Sequence, residues 1–226
     1  MTGKLYIVAT PIGNKDDITI RAISTLRDVD IIAAEDTRVI GKLLKLLNID
    51  KKHIVSINEF ATKENIDYIL NFLKEGKNIA YVSDAGTPGI SDPGAVLVSA
   101  CREESIEIVP IPGVSAISAA MSIAGIRETP FIFYGFLPHK NGRKKILQNL
   151  FSLEKNIILY ESVHRFIKLL DDIIEINKNQ EIIVCRELTK MYEDIKSDKV
   201  ESIKKYYEDN KSKLKGEFVV IIKNHK

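Results

Sequence analysis

At 226 residues, with 45% of them apolar, the chain is long enough for one large domain or two small ones. Its 33 basic and 31 acidic residues leave a formal net charge of +2, which does not mark a nucleic-acid binder, because the sum hides any local patch. Cys101 and Cys185 stand in apolar surroundings without Cys-x-x-Cys spacing or a nearby histidine cluster, which excludes a zinc site or a disulfide framework and predicts two reduced core residues. No apolar run approaches a membrane span, and a strand opens at Leu5 with no room for a secretory leader, so the expectation is a cytoplasmic protein with no membrane partner.

In chain order, Leu5–Ala9 reads as a first strand and Thr10–Asn14 as a turn. The next helix is capped near Asp17 or Thr19 and turns Ile18, Ala22, Ile23, Leu26 and Val29 inward. Ile31–Ala34 is a second strand ending in Glu35-Asp36-Thr37-Arg38, followed by a helix with Val39, Leu43, Leu44 and Leu47 at helical spacing. His53–Ile57 is a third strand, leading through Asn58-Glu59 to a helix with Ile66, Ile69, Leu70 and Leu73 that Gly76 ends. The fourth, Ile79–Val82, empties into Ser83–Gly94, which holds three Gly, two Pro and two Asp with almost nothing to pack. Such a loop leaves backbone N–H and C=O groups free for a ligand. Asp92-Pro93 then caps a helix with Val96, Leu97, Ala100 and Cys101 on one face, and Ile106–Ile111 is a fifth strand.

Strands alternating with helices of about 10–15 residues predict βαβ units and a parallel sheet covered by helices, so residues 1–112 make one α/β domain. Ligands in such sheets sit beyond the C-terminal strand ends, where Thr10–Asn14, Glu35–Arg38, Asn58-Glu59 and Ser83–Pro88 all fall. Pro110-Ile111-Pro112-Gly113 marks the boundary to a second α/β domain, residues 113–226, which opens with a helix of small residues from Ser115 to Ala120. Its predicted strands are Phe131–Phe136, Asn156–Tyr160, Glu181–Arg186 and Glu217–Lys223, with helices near 142–151, 163–176 and 194–209. The Lys-rich residues 196–215 are expected to be mobile, and the strand order of this half is not readable from pattern.

Neither Gly-rich loop is Gly-x-x-x-x-Gly-Lys-Ser/Thr or Gly-x-Gly-x-x-Gly, which argues against nucleoside triphosphates and nicotinamide cofactors. Glu35-Asp36-Thr37-Arg38 reads either as a self-neutralised helix start or as a polar cluster facing a substrate. In Tyr160–Arg165, Ser162 suits a helix cap, whereas Glu161, His164 and Arg165 have no packing reason. His164 is an acid–base candidate; His53, His139 and His225 are not. Lys140, Arg143, Lys144 and Lys145 crowd a loop and helix start, where cations oppose the helix dipole. They read as a solvated loop or, with Arg165, Arg186 and Lys190 also following strand ends, as a path for a phosphate backbone.

Several motifs occur together: LYIVATPIGN at Leu5–Asn14, AEDTR at Ala34–Arg38, SDAGTPGISDPG at Ser83–Gly94, PGVSA at Pro112–Ala116, FYGFLP at Phe133–Pro138, YESVHR at Tyr160–Arg165, CRELTK at Cys185–Lys190 and Gly216-Glu217-Phe218. The set resembles the tetrapyrrole methylase superfamily and, within it, the ribosomal RNA small-subunit methyltransferase I family, which methylates a cytidine ribose 2′-oxygen in 16S ribosomal RNA. Nearly the whole chain takes part in the match. The resemblance implies two α/β domains, the first with a parallel sheet and the second with a mixed one. It also implies a homodimer and S-adenosylmethionine held in the cleft between the domains. By position, the donor-binding groups it implies are Pro11, Ala85, Gly86, Thr87, Ile90, Ser115 and Ala116, with Phe136, Leu188 and Gly216 from the second domain. Small residues there let backbone groups reach the donor's polar atoms, and Ile90 and Leu188 supply apolar walls.

Val163 stands where the family has proline, and the chain ends soon after Gly216–Lys223 where longer members continue, so RNA contacts from such a segment are expected to be absent. The implied reaction is in-line attack of a ribose 2′-hydroxyl on the sulfonium methyl, which needs alignment and loss of the hydroxyl proton. Glu35, Asp36, Arg38, Glu161, His164 and Lys190 are the catalytic candidates, with the base unassigned and a water relay an option. Lys140, Arg143, Lys144, Lys145 and Arg165 are the RNA-binding candidates, 16S ribosomal RNA or the small ribosomal subunit is the partner, and no metal is expected. Two alternatives stay open: methylation of a corrin or other small acceptor, and a non-catalytic RNA-binding member of the fold.

Overall fold

Short β-branched runs separated by amphipathic stretches build the first half of the molecule. The computed structural model describes residues 2–58, 60–127, 130–139 and 142–224. The chain divides into two units, Met1–Ser115 and Ala116–Lys226. In the first, the order is β1 (Leu5–Val8), α1 (Ile20–Asp28), β2 (Ile31–Ala34), α2 (Thr37–Leu46), β3 (His53–Ser56), α3 (Lys63–Lys74), β4 (Ile79–Val82), α4 (Gly94–Glu103) and β5 (Ile108–Ile111). The strands lie in the order β3-β2-β4-β1-β5, all parallel. Because side chains alternate along a strand, Ile31, Ala33, Ile79 and Tyr81 meet the helix residues Ile69, Leu73, Leu97 and Cys101 on one face. Ile32, Ala34, Ala80 and Val82 meet Ala22, Leu26, Ile40 and Leu44 on the other. Pro110 is tolerated in β5 because that strand is an edge, paired with β1 alone.

Helix ends in this unit follow their cap residues. Thr19 Oγ1 accepts the Ala22 N–H at 3.1 Å and Asp36 caps α2. Gly76, at φ +89°, ends α3, with the Gly76 N–H donating to Leu73 O and the Lys77 N–H to Phe72 O. Two inward assignments are corrected: Val39 and Val96 are 38% and 59% exposed. In α2 and α4 the buried pairs are Ile40 with Leu44 and Leu97 with Cys101, four apart, and a residue one position away points about 100° off that stripe.

The second unit runs α5 (Ala116–Ile123), β6 (Phe131–Phe136), α6 (Arg143–Ser152), β7 (Asn156–Ser162), α7 (Val163–Ile176), β8 (Glu181–Arg186), β9 (Asp194–Lys199), α8 (Val200–Asp209) and β10 (Glu217–Ile222). Its sheet, ordered β6-β7-β10-β8-β9, is mixed, with β6 and β7 parallel and the other pairings antiparallel. Phe166 stacks on Phe218 at 4.1 Å in its core, with Tyr207 against both. The helix expected near 194–209 begins only at Val200. Residues 194–199, DIKSDK, are instead the edge strand β9 beside β8, and their charge is what an exposed edge carries to avoid pairing with other chains. The Lys-rich stretch is likewise built in: Val200, Ile203 and Tyr207 of α8 are buried in the core.

Among the described residues no helix is long and apolar enough to cross a membrane. Cys101 and Cys185 are free and buried, and burial pushes both thiols up to about 11. Both are therefore protonated and shielded at pH 8. A disulfide-exchange reagent is expected to label neither thiol in the native protein and both after denaturation; fast native labelling would contradict this packing.

Candidate active site

The loops at the C-terminal edge of the parallel sheet are tied to one another. Thr10 and Gly86 exchange backbone hydrogen bonds of 2.9 and 3.0 Å, joining the loops after β1 and β4. The Asp36 N–H donates to Asp84 Oδ1 at 3.0 Å and the Asp84 N–H to Glu35 Oε2 at 3.4 Å, which fastens the loop after β2 to the same place. Thr87 Oγ1 donates to Val114 O at 2.8 Å and brings in the segment after β5. Of the loop after β3, Asn58 Oδ1 accepts the Phe60 N–H, and Glu59 lies outside the described residues.

Asp92 folds the central loop. Its carboxylate accepts from the N–H groups of Gly89 at 2.7 Å, Ile90 at 3.1 Å and Gly94 at 2.8 Å, so it does more than cap the helix. Gly86 takes φ +81°, a backbone state that glycine reaches without strain. The N–H groups of Ala85 and Thr87 donate to nothing among the described residues. The edge of this unit is therefore a glycine-bearing rim with unused donors.

In the second unit the loop after β8 closes on itself. Glu187 Oε1 accepts from Lys190 Nζ at 2.8 Å and from the Glu217 N–H at 3.0 Å, and Lys190 Nζ also reaches Glu217 Oε2 at 2.8 Å. Gly216, at φ +86°, is glycine for a steric reason as well: a Cβ there would stand 2.3 Å from the Glu187 carboxylate. Leu188 is buried, and Phe136 is 49% exposed with its ring 5.5 Å from that of Tyr160.

Residues 4–204 match the family described as tetrapyrrole (corrin/porphyrin) methylases. The chain belongs to that family. It is 46% identical to ribosomal RNA small subunit methyltransferase I of Thermotoga maritima over 220 residues, covering 97% of this chain and 98% of that protein. To the protein of the same name from Borrelia garinii it is 43% identical over 219 residues, covering 96% and 97%. Among solved structures, diphthine synthase superimposes with a TM-score of 0.75 at 14% identity over 97% of this chain and 89% of its own, a likeness of fold alone.

The ionisable candidates of this methylase sit in unlike places. Asp36 is gripped by its neighbour: hydrogen bonds from the Arg38 side chain and backbone hold its carboxyl down at about 2, which makes it a weak base at neutral pH. Asp36 and Arg38 thus offset one another's charge at the start of α2. Burial opposes charge on Lys190, but hydrogen bonds to Glu187 and Glu217 outweigh it and raise its pKa, so it is a cation at pH 7. His164 is exposed in the first turn of α7.

Glu161 and the basic run correct the sequence reading. Glu161 has a packing reason after all, because its buried carboxylate accepts from Arg143 Nη1 at 2.9 Å, Arg165 Nη2 at 2.8 Å and the Ser162 N–H at 2.9 Å. Arg143 is no surface cation: its side chain is 3% exposed, and its Nε also donates to Asp172 Oδ2 at 2.9 Å. Arg165 is mostly buried and donates to Leu137 O at 2.7 Å. Lys144 is exposed and pairs with Glu175, Lys145 is exposed, and Lys140 lies outside the described residues. Asp172 was missed. Its signal is an acid in register with Leu169 and Ile173 on the buried stripe of α7, a place that demands a cationic partner.

Proposed function

We propose that this methylase uses S-adenosylmethionine to methylate a cytidine ribose 2′-oxygen in 16S ribosomal RNA. The observation that carries the reading is near-complete alignment, at 43% and 46% identity, with two proteins named ribosomal RNA small subunit methyltransferase I. The residues of the rim fit such a donor. Ala85 and Thr87 offer N–H donors to its polar atoms, and at Gly89 nothing lies within 4 Å of where a side chain would start, so a ligand can approach the backbone. Pro11, Gly86, Ile90, Ser115 and Ala116 border the same loops, and Phe136, Leu188 and Gly216 are the contacts proposed from the second unit.

When bound, the donor supplies an electrophilic methyl group on a sulfonium. The chain's task is to align the hydroxyl, exclude water and take one proton. Asp36, Glu161 and Lys190 are held in ion pairs, and His164, exposed in the first turn of α7, is the proposed proton acceptor. Arg38 steers Asp36 and through it the loop after β2. Lys144, Lys145 and Lys140 are the proposed phosphate contacts. The reading also includes cytoplasmic work as a homodimer, supported by the open outer edge of β6 with Phe131 and Tyr134 exposed. Sedimentation at monomer mass would remove the dimer.

Methyl transfer from labelled donor to small subunits, free 16S ribosomal RNA and a corrin tests the acceptor. A 2′-O-methyl blocks alkaline cleavage at its own linkage. Label recovered in one alkali-stable dinucleotide supports the reading, whereas label on the corrin, or on none of the three, overturns it.

A further inference from the structure

We infer that Met191 and Tyr192, at the tip of the loop after β8, form a stacking surface for an unpaired base of the substrate RNA, an inference that rests on the RNA acceptor proposed above. The loop is built to hold one shape. Glu187 and Thr189 both take left-handed backbone, at φ +53° and +66°, a strained state for residues with side chains. That shape is cross-braced: the Lys190 N–H donates to Glu187 O at 3.0 Å, the Glu193 N–H to Lys190 O at 3.1 Å, and the Thr189 N–H to Glu193 Oε2 at 2.6 Å. Arg186 Nη2 donates to Tyr192 O at 2.6 Å.

So much ordering holds up two large side chains that pack on little: Met191 is 89% exposed and Tyr192 is 70% exposed. The bracing seats Leu188 and closes the Glu187–Lys190–Glu217 links, and it also fixes in water an apolar tip that folding alone does not require. It has a recognition purpose. An aromatic ring and a thioether already fixed in place lose little entropy when a flat apolar face settles on them.

The charges around the tip select the partner. Arg186 Nη1 also donates to Lys215 O at 3.3 Å, so one guanidinium joins the backbone of Lys215 to that of the tip. Lys211 and Lys215 are exposed and make no ion pair among the described residues. Of the acids nearby, Glu187 and Glu217 share Lys190 and Asp194 pairs with Lys213, whereas Glu193 accepts the Thr189 N–H and keeps its charge. A ring near unpaired lysines suits unpaired nucleotides, whose bases stack while their phosphates meet lysine.

The chain contains no tryptophan, so Tyr192→Trp introduces a single reporter at the tip. Its emission is expected to be quenched when RNA acceptor is added and unchanged by donor alone. Tyr192→Ala is expected to raise KM for RNA roughly tenfold, with kcat and calorimetric donor affinity unchanged. An unquenched reporter at RNA concentrations that saturate methyl transfer, or an unaltered KM in Tyr192→Ala, overturns the stacking assignment and leaves the RNA acceptor standing. Reporter emission that changes with protein concentration alone, together with loss of self-association in Tyr192→Ala, assigns the tip to a second copy of the chain and equally overturns it. Failure of the wild-type protein to methylate any RNA removes the acceptor and this inference together.

Discussion

Arg143→Met is expected to lower the unfolding free energy by about 3–5 kcal/mol, the range found when one partner of a buried ion pair is removed. Arg143 bridges two acids that are as buried as it is: Glu161 and Asp172 have side-chain exposures of 0% and 3%. Without the guanidinium, Glu161 keeps Arg165, but Asp172 is left as a carboxylate in an apolar helix face beside Leu169, Leu170 and Ile173. That orphan carboxylate is the main cost. Urea midpoints measure it directly. Lys145→Ala, one turn into the same basic run but exposed, is expected to stay within about 0.5 kcal/mol of wild type. The companion double change Arg143→Met, Asp172→Leu is expected to regain most of the loss, because it removes the orphan carboxylate and keeps the Glu161–Arg165 pair. A variant Arg143→Met with unaltered stability and weakened RNA binding would mean that the guanidinium serves phosphate and that the buried network is wrong.

The same residue explains what the sequence reveals and what it hides. Each strand of the first sheet is a short apolar run between amphipathic helices, so its elements, its parallel pairing and the meeting of loops at one edge follow from local pattern. Charge type is local too, which is why the run at residues 140–145 stands out. Burial is not. Arg143 finds its partners 18 and 29 residues away, and no spacing rule links an arginine at the start of α6 to a glutamate in β7 and an aspartate in α7. The strand β9 is hidden for a related reason. DIKSDK has no apolar run, and it is a strand because β8 offers it a ladder of hydrogen bonds. Val39 and Val96 mislead through phase: a neighbour of a buried residue scores as apolar in a window but lies off the helix stripe. The cross-links Asp36–Asp84 and Thr87–Val114 are likewise tertiary, although the loops they join are legible as loops.

Gly86→Val is expected to weaken S-adenosylmethionine binding roughly thirtyfold while leaving the protein folded. Gly86 holds both hydrogen bonds of the bridge to Thr10 and takes φ +81°, where a β-branched residue is a true outlier. A side chain there also starts 3.3 Å from Ile12 Cγ2 and 3.7 Å from Val114 O, the atom that receives the Thr87 hydroxyl. The loop must then keep its shape under strain or turn away and lose the bridge. Either way, the bound conformation rises by about 2 kcal/mol, the upper end of the left-handed penalty for a residue with a side chain, and this is roughly a thirtyfold change in Kd. The sheet beneath is untouched, since Tyr81 and Val82 are fixed by their strand neighbours. Calorimetric titration with the donor reads the first quantity and urea unfolding the second. Gly89→Ala separates backbone strain from contact: its φ is +87°, yet nothing lies within 4 Å of the added methyl. It is expected to weaken binding less than Gly86→Val. Wild-type donor affinity in a folded Gly86→Val protein would place the donor away from this rim and remove the geometric half of the case for methyl transfer here.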